Sequence, residues 1–322
     1  MEKGVVIIAN PSEKGYGFSK GVHDYIISKK ERNFDIDIDN VIKTKFKDGE
    51  YKVKIEKNLR GRRCFYIHDP NINAVEWVSD LLFTLNAIKY ASPSEINVIF
   101  PYFRYARQDR KDESRVSVNA KAIAGVVDSY AHRAMSLDIH SPTEQGFFNV
   151  PFDDLKSSPV VVDYFKKNHR SILENLVLIS PDVGGGKRVD AFGKILARED
   201  IEAEIAMCYK RRSKENEVEE IIVVGEVKGK DCLIIDDILD TGGTIDKTAG
   251  SLIKEGAKSV NAYCTFGLFN GKKKFDNIGK LFVSDAFGVN NKINCEKIGM
   301  VNLFGEAIYR TIMGESLSSL FE

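Results

Sequence analysis

The chain has 322 residues, 43% hydrophobic and 29% charged, with 47 basic residues against 47 acidic ones. That length predicts two domains with ample core, and the balanced charge argues against a nucleic-acid surface or an acidic tail. Five cysteines (Cys64, Cys208, Cys232, Cys264, Cys295) lack CxxC spacing, no apolar run approaches membrane length and the start lacks a basic-then-apolar leader, so reduced core thiols and a cytoplasmic location are expected.

Val5 to Ala9 reads as a strand. Gly15-Tyr16-Gly17 followed by Gly21 then leads into a helical pattern through Ile26. The spacing is GxGxxxG rather than the dinucleotide GxGxxG, so it is taken as a glycine-rich turn. Ile42 to Ile55 alternates on both sides of Asp48-Gly49, which predicts a hairpin closed by a type I′ turn. Such a hairpin needs no ligand, although Phe46 has the chemistry to stack on a base while Asp48 and Glu50 accept from an exocyclic amine. Arg63 to Ile67 is a strand, Asn73 to Ala91 a long amphipathic helix and Ile96 to Phe100 another strand. The last runs into Pro101 to Asp112, a loop dense in aromatics and cations. Two readings of that loop stay open: a clamp for a triphosphate with an aromatic platform, or a solvated charged loop with tyrosines packed beneath it.

The second half predicts strands at Val177 to Ser180, Ile201 to Met207, Glu219 to Val224, Ser259 to Phe266 and Lys280 to Ser284. Helices are expected at Lys187 to Ala197 and from about Leu303 to Met313. Between them lies DCLIIDDILDTGGTIDKTAG, Asp231 to Gly250. The apolar run Leu233-Ile234-Ile235 is β-branched and too short for a helix, and Ile245, Ala249, Leu252 and Ile253 share one helical face. Strand, glycine turn and helix in that order leave free backbone N–H groups at a helix N-terminus, a natural seat for phosphate. Asp236 and Asp237 are expected at the strand's carboxyl end, where ligands bind in open α/β sheets, and their chemistry suits either sugar hydroxyls or a magnesium shell. Strands alternating with helices in both halves argue for parallel sheets. No proline- or glycine-rich linker separates the halves, and the boundary is expected near Pro151 to Pro159.

Asp236 to Thr244, DDILDTGGT, resembles the phosphoribosyl-diphosphate motif shared by type I phosphoribosyltransferases and ribose-phosphate pyrophosphokinases. The run YFRYARQDRKDESRVSVNAK closely resembles the nucleotide loop of the second family and has no counterpart in the first. Asp138-Ile139-His140 followed by Gln145-Gly146-Phe147-Phe148 and Asp153 has the spacing of that family's magnesium signature. Ser180 to Arg188, Lys210-Arg211-Arg212 and the terminal Gly314 to Phe321 also resemble it, in the family's order from about Phe46 onward.

The resemblance to ribose-phosphate pyrophosphokinases implies an α/β protein of two type I phosphoribosyltransferase-like domains, each with a mainly parallel sheet flanked by helices. The N-terminal domain would cover 1–153, joined by the C-terminal helix at about 303–322, and the second domain 154–302. It implies transfer of the diphosphate group of ATP to ribose 5-phosphate, with Mg²⁺ as cofactor and no nucleic-acid or membrane partner. By the match, Lys210 and Arg212 are catalytic cations of a flexible loop, and Arg212 also meets the sugar phosphate. Phe46, Asp48, Gly49, Glu50, Arg107, Gln108 and Asp112 bind ATP; His140 and Asp182 contact magnesium. Asp236, Asp237, Asp240, Thr241, Gly242, Gly243 and Thr244 hold ribose 5-phosphate, while Gly184, Gly185 and Lys187 form a diphosphate loop with Gly186. It implies a homo-oligomer built on dimers, up to a hexamer, in which the Phe46–Glu50 hairpin completes a neighbour's ATP site.

Some positions depart from the family pattern. The first forty-odd residues and His68 to Glu76 differ, Thr143 stands where glutamine is common, Asn149 where aspartate is common, and Ser284 to Val289 lacks the usual threonine- and asparagine-rich turn. Phosphate activation and ADP inhibition are therefore not carried over. Two rival readings remain. A type I phosphoribosyltransferase leaves the RQDRKD loop and the Asp138 to Asp153 signature unexplained. A non-enzymatic regulatory homologue is expected to lose loop residues such as Lys210 and Arg212, which are present.

Overall fold

The computed structural model describes residues 4–31, 33–211, 220–271, 274–288 and 293–321, without the side chains of Lys210, Arg211 and Glu220. It divides into two compact units: 1–156 with 286–288 and 301–320, and 157–285 with 289–300 and 321–322.

In the first unit the order is β1 (Val5–Ala9), α1 (Tyr16–Ile27), β2 (Ile36–Lys45), β3 (Tyr51–Ile55), β4 (Arg63–Ile67), α2 (Ala74–Tyr90), β5 (Glu95–Phe100), α3 (Asn119–Asp128), β6 (Arg133–Leu137) and β7 (Phe152–Leu155). The second unit runs α4 (Ser158–Asn168), β8 (Leu176–Ser180), α5 (Gly186–Arg198), β9 (Ala203–Arg211), β10 (Glu220–Val224), β11 (Asp231–Leu239), α6 (Gly243–Lys254), β12 (Ser259–Gly267), β13 (Leu281–Ser284) and β14 (Glu296–Ile298). The last helix, α7 (Val301–Met313), belongs to the first unit. There Phe304 meets Phe18 of α1 edge-on at 5.3 Å and Glu306 accepts from the Tyr25 hydroxyl at 2.9 Å.

The two sheets have the same strand order. It is β3-β2-β1-β4-β5-β6-β7 in one and β10-β9-β8-β11-β12-β13-β14 in the other, parallel except for the pairs β2–β3 and β9–β10. In each, the first strand of the unit lies beside the fourth, so the chain leaves to opposite sides at β1/β4 and β8/β11, the switch points where such sheets bind ligands. All residues of β1 and β8 are buried, as strands covered on both faces must be, hence their unbroken VVIIA and LVLIS runs.

Local expectations were met unevenly. The hairpin at 42–55 forms, but its turn is not type I′. The amide of Phe46 donates to the Glu50 carbonyl and that of Gly49 to the Phe46 carbonyl, and only Gly49 has positive φ (+97°). That is a three-residue loop, a type I turn followed by a left-handed glycine. The strand expected at 201–207 begins at Ala203 and runs to Arg211, because it pairs with β8 on one side and β10 on the other. Four of the five cysteines are buried and all are free thiols. Among the described residues no helix is long and apolar enough to cross a membrane.

Candidate active site

In the second unit, β8 stops at Ser180 while β11 continues to Leu239 alongside β12. Asp236 and Asp237 therefore sit within β11, beyond the end of its β8 neighbour, rather than at its last residues. The Asp237 amide donates to Asp236 Oδ1 at 2.9 Å, and Arg188, in the first turn of α5, reaches Asp237 at 3.3 Å and Asp236 at 3.6 Å. Burial, and then the adjacent Asp237 charge, push the Asp236 carboxyl well above the ordinary carboxylate range. Two such acids need a proton, hydroxyl donors or a cation, and Arg188 supplies only part of that charge.

Asp240, Thr241 and Gly242 then turn the chain into α6. Gly242 sits at the N-cap with φ +78°, a conformation that glycine adopts freely, and no side chain caps the helix. Asn270 braces the turn, its side-chain amide donating to Asp240 Oδ1 at 2.7 Å and its backbone amide to the Asp240 carbonyl at 3.0 Å. Gly271 lies so close behind that a β-carbon there would stand 2.7 Å from the Thr241 carbonyl oxygen. Across the switch point, Ser180 donates to the Asp182 carbonyl, and Asp182 Oδ1 accepts from the Gly185 amide at 2.9 Å. The Gly184–Gly186 nest expected from sequence thus has two amides engaged by the chain itself, that of Gly185 by Asp182 and that of Gly186 by the Val183 carbonyl at 3.5 Å. Lys187 is exposed.

The first unit carries the equivalent loops, filled differently. Gly15 and Gly185 both stand at N-caps with nearly the same backbone (φ −77°, ψ −5° and φ −76°, ψ −8°), each donating its amide to an aspartate. For Gly15 the acceptor is Asp69, whose other oxygen takes the Asn71 amides. The helix after the fourth strand, α2, is capped by Asn73, which accepts from the Val75 amide at 3.0 Å. So the first turn of α2 has one amide taken by its N-cap side chain, whereas the N-cap of α6 is a glycine with no side chain to offer.

The remaining predicted residues of the first unit lie on two loops and the hairpin. Phe46 is 51% exposed at the hairpin tip, with Asp48, Gly49 and Glu50 also exposed. In the loop after β5, Arg107, Gln108 and Asp112 face solvent above buried Tyr102, Phe103 and Ala106. That arrangement, with cations outside and aromatics beneath, is the packing expected of the solvated charged loop. Tyr105 has φ +65° and its hydroxyl donates to the Ala74 carbonyl, while Arg104 donates twice to the Pro70 carbonyl. These anchors hold the loop that presents Arg107. His140 is exposed just after β6, and burial of nearby Glu144 pushes its carboxyl up to about 8, with His140 opposing and Asp109 adding to the shift. The His140 turn and the loop after β5 thus act on one buried acid.

Lys210 lies on β9 opposite Ile221 in the strand register, but its side chain and the whole of Arg212 lie outside the described residues, as does the lid expected between Tyr209 and Glu217 from 212 onward. Sequence reasoning assigned no role to Arg188, Asn270, Gly271, Glu144 or Asp154. Only Glu144 had a local signal, since Ser141-Pro142-Thr143-Glu144 is a capping-box pattern.

The raised Glu144 value has a consequence for stability. An unfolded glutamate ionises near its ordinary value of 4.5, while the buried one keeps its proton to about 8. Its contribution is full below pH 4.5 and is lost as pH rises toward 8. Glu144→Gln is therefore expected to melt closer to, or above, wild type at pH 8 than at pH 5. A constant difference across that range in calorimetry counts against the buried neutral acid.

Two mainly parallel sheets of the same strand order, with an aspartate- and glycine-rich turn into a helix at one switch point, define a phosphoribosyltransferase-like α/β enzyme. Residues 18–130 match the family model for the N-terminal domain of ribose phosphate pyrophosphokinase, and 153–294 match the phosphoribosyl transferase domain. The ribose-phosphate pyrophosphokinase of Aquifex aeolicus is 36% identical over 99% of both chains, and that of Bacillus caldolyticus 38% identical over 87% of this chain and 89% of its own. The crystal structure of phosphoribosylpyrophosphate synthetase from Mycobacterium smegmatis superposes with a TM-score of 0.83 at 23% identity, covering 96% of this chain and 99% of that one, and shows the same fold. This chain belongs to the ribose-phosphate pyrophosphokinase family.

Proposed function

We propose that the enzyme transfers the diphosphoryl group of ATP to the anomeric hydroxyl of ribose 5-phosphate, giving 5-phosphoribosyl 1-diphosphate and AMP. The observation that carries this reading is the left-handed glycine turn into α6 behind the Asp236–Asp237 pair, in a chain of this family. The Thr241 to Thr244 turn receives the 5-phosphate, and Asp236 and Asp237 accept from the ribose 2- and 3-hydroxyls. The anomeric oxygen then attacks the β-phosphorus as its proton passes to solvent, the bond from that phosphorus to the α-phosphate oxygen breaks, and AMP leaves with that oxygen. A loose transition state of this kind needs positioning and positive charge more than a strong base. Lys210 and Arg212 supply charge beside the transferred group, with Arg212 also meeting the sugar phosphate. Arg107, Gln108 and Asp112 hold ATP.

Among the described residues no group of three or more His, Cys, Asp or Glu forms a metal centre. Mg²⁺ is commonly held by one or two carboxylates together with substrate phosphates and water, a role that the Asp182 carboxylate fits. His140 and Asp182 are the residues that would hold it, and when bound it neutralises charge on the triphosphate. Gly184, Gly185 and Lys187 line the side that receives the diphosphate. The exposed Phe46–Glu50 tip completes the ATP site of a neighbouring copy, so activity requires a homo-oligomer; a fully active monomer in sedimentation would refute this. Calorimetric titration with ribose 5-phosphate tests the assignment of substrates. Binding is expected to tighten when a non-hydrolysable ATP analogue and Mg²⁺ are present, whereas indifference to the nucleotide points to a phosphoribosyltransferase.

A further inference from the structure

Beyond the residues assigned above, two buried carboxyls grip the peptide on either side of His140. Asp138 has φ +36°, a left-handed conformation uncommon outside glycine, and its amide donates to the Leu155 carbonyl at 2.8 Å. The next amide, Ile139, donates to Asp154 Oδ1 at 3.2 Å. The amide after the histidine, Ser141, donates to Glu144 Oε1 at 2.9 Å, completing a capping box in which the Ser141 side chain accepts from the backbone of Glu144. The Asp154 carboxyl is 4% exposed and salt-bridged to Lys156, and Glu144 is fully buried. Its second oxygen, Oε2, is buried without a hydrogen-bond partner among the described residues. A buried acid with one unsatisfied oxygen is an expensive way to fill space, which an aliphatic side chain would do without penalty. What the carboxyl provides and an aliphatic side chain lacks is the acceptor for Ser141.

We propose that Glu144 and Asp154 are positioning residues that fix the backbone on both sides of His140, so that its imidazole meets the metal–nucleotide substrate in one orientation. The inference rests on the role given to His140 under the proposed function, but the backbone restraint can be read without turnover. Two amide anchors and a left-handed residue leave the turn that carries the ring one backbone path.

The test compares Glu144→Leu, which fills the space without an acceptor, with Glu144→Gln, which keeps an oxygen for the Ser141 amide. Asp39→Leu serves as control, since Asp39 is an equally buried carboxyl accepting from the Asn40 and Lys57 amides, outside this turn. Two readouts are taken: amide hydrogen exchange at Ile139 and Ser141, and the Mg²⁺ concentration giving half-maximal turnover. Glu144→Leu is expected to speed exchange at Ser141 and raise the Mg²⁺ requirement by about tenfold or more, the scale on which removing a group that orients a metal ligand acts. Glu144→Gln is expected to restore both to within about twofold of wild type, whereas Asp39→Leu lowers the melting temperature without changing either. Asp154→Ala gives the same readouts at Ile139 and serves if Glu144→Leu does not fold. Unchanged exchange and Mg²⁺ dependence in Glu144→Leu, or a glutamine variant as impaired as the leucine one, overturns the proposal. A wild type that makes no phosphoribosyl diphosphate defeats the proposed function instead, and the exchange data alone then decide whether the carboxyls hold this turn.

Discussion

Lys210→Ala is expected to lower kcat by about two to three orders of magnitude, the scale of losing one charge-stabilising donor aimed at a transition state, while the ATP dissociation constant changes little. The position explains the split. Lys210 is the eighth of the nine residues of β9, in a different unit from the loop after β5 that carries Arg107 and Gln108. A cation there that acts on the transferred group is felt when charge moves, not when nucleotide binds. Stopped-flow turnover with parallel ATP titration checks this, and comparable turnover in the variant would remove Lys210 from the machinery.

Gly271→Ala should act on the other substrate. A β-carbon at this position would meet Thr241 at 2.7 Å from its carbonyl oxygen and 2.9 Å from its Cα, both backbone atoms that no rotamer change can move aside. The turn from Asp240 to Gly242 must shift, and with it the amides that the proposed function assigns to the 5-phosphate. A displacement approaching an ångström in such a cradle costs about a hundredfold, so the ribose 5-phosphate KM, kcat or both deteriorate on that scale while ATP binding is kept. Steady-state kinetics with each substrate varied distinguishes the outcomes. An alanine variant with wild-type ribose 5-phosphate kinetics means the turn is not the phosphate seat.

These two residues also mark how far the sequence could be read. The turn Asp240 to Thr244 was legible because strand, glycine turn and helix are consecutive, and each residue type has a local reason to be there. Gly271 was not, since its constraint comes from a turn thirty residues earlier and appears only when the chain returns behind it. Asp154 is similar: its partner is the Ile139 amide, across the β6–β7 pairing. Glu144 carries a local signal, the capping-box pattern Ser141-x-x-Glu144, within the stretch whose spacing resembles the metal signature. The Asp48-Gly49 pair predicted the hairpin but overspecified its turn, because a left-handed glycine serves a three-residue loop as well as a type I′ turn. The short β7 and β14, with sequences FDDL and EKI, have too few apolar residues to announce themselves and are strands by virtue of their neighbours β6 and β13. What distinguishes the two switch points was hidden for the same reason. Asn73 as a cap and Gly242 as its absence acquire meaning only once both sheets show the same strand order.

The most direct test follows the phosphorus signals of purified protein incubated with ribose 5-phosphate, ATP and Mg²⁺. Equal appearance of AMP and a phosphoribosyl diphosphate is the predicted result and establishes transfer of the diphosphoryl group as a unit. Appearance of ADP with a singly phosphorylated sugar product means attack at the γ-phosphorus and contradicts the account.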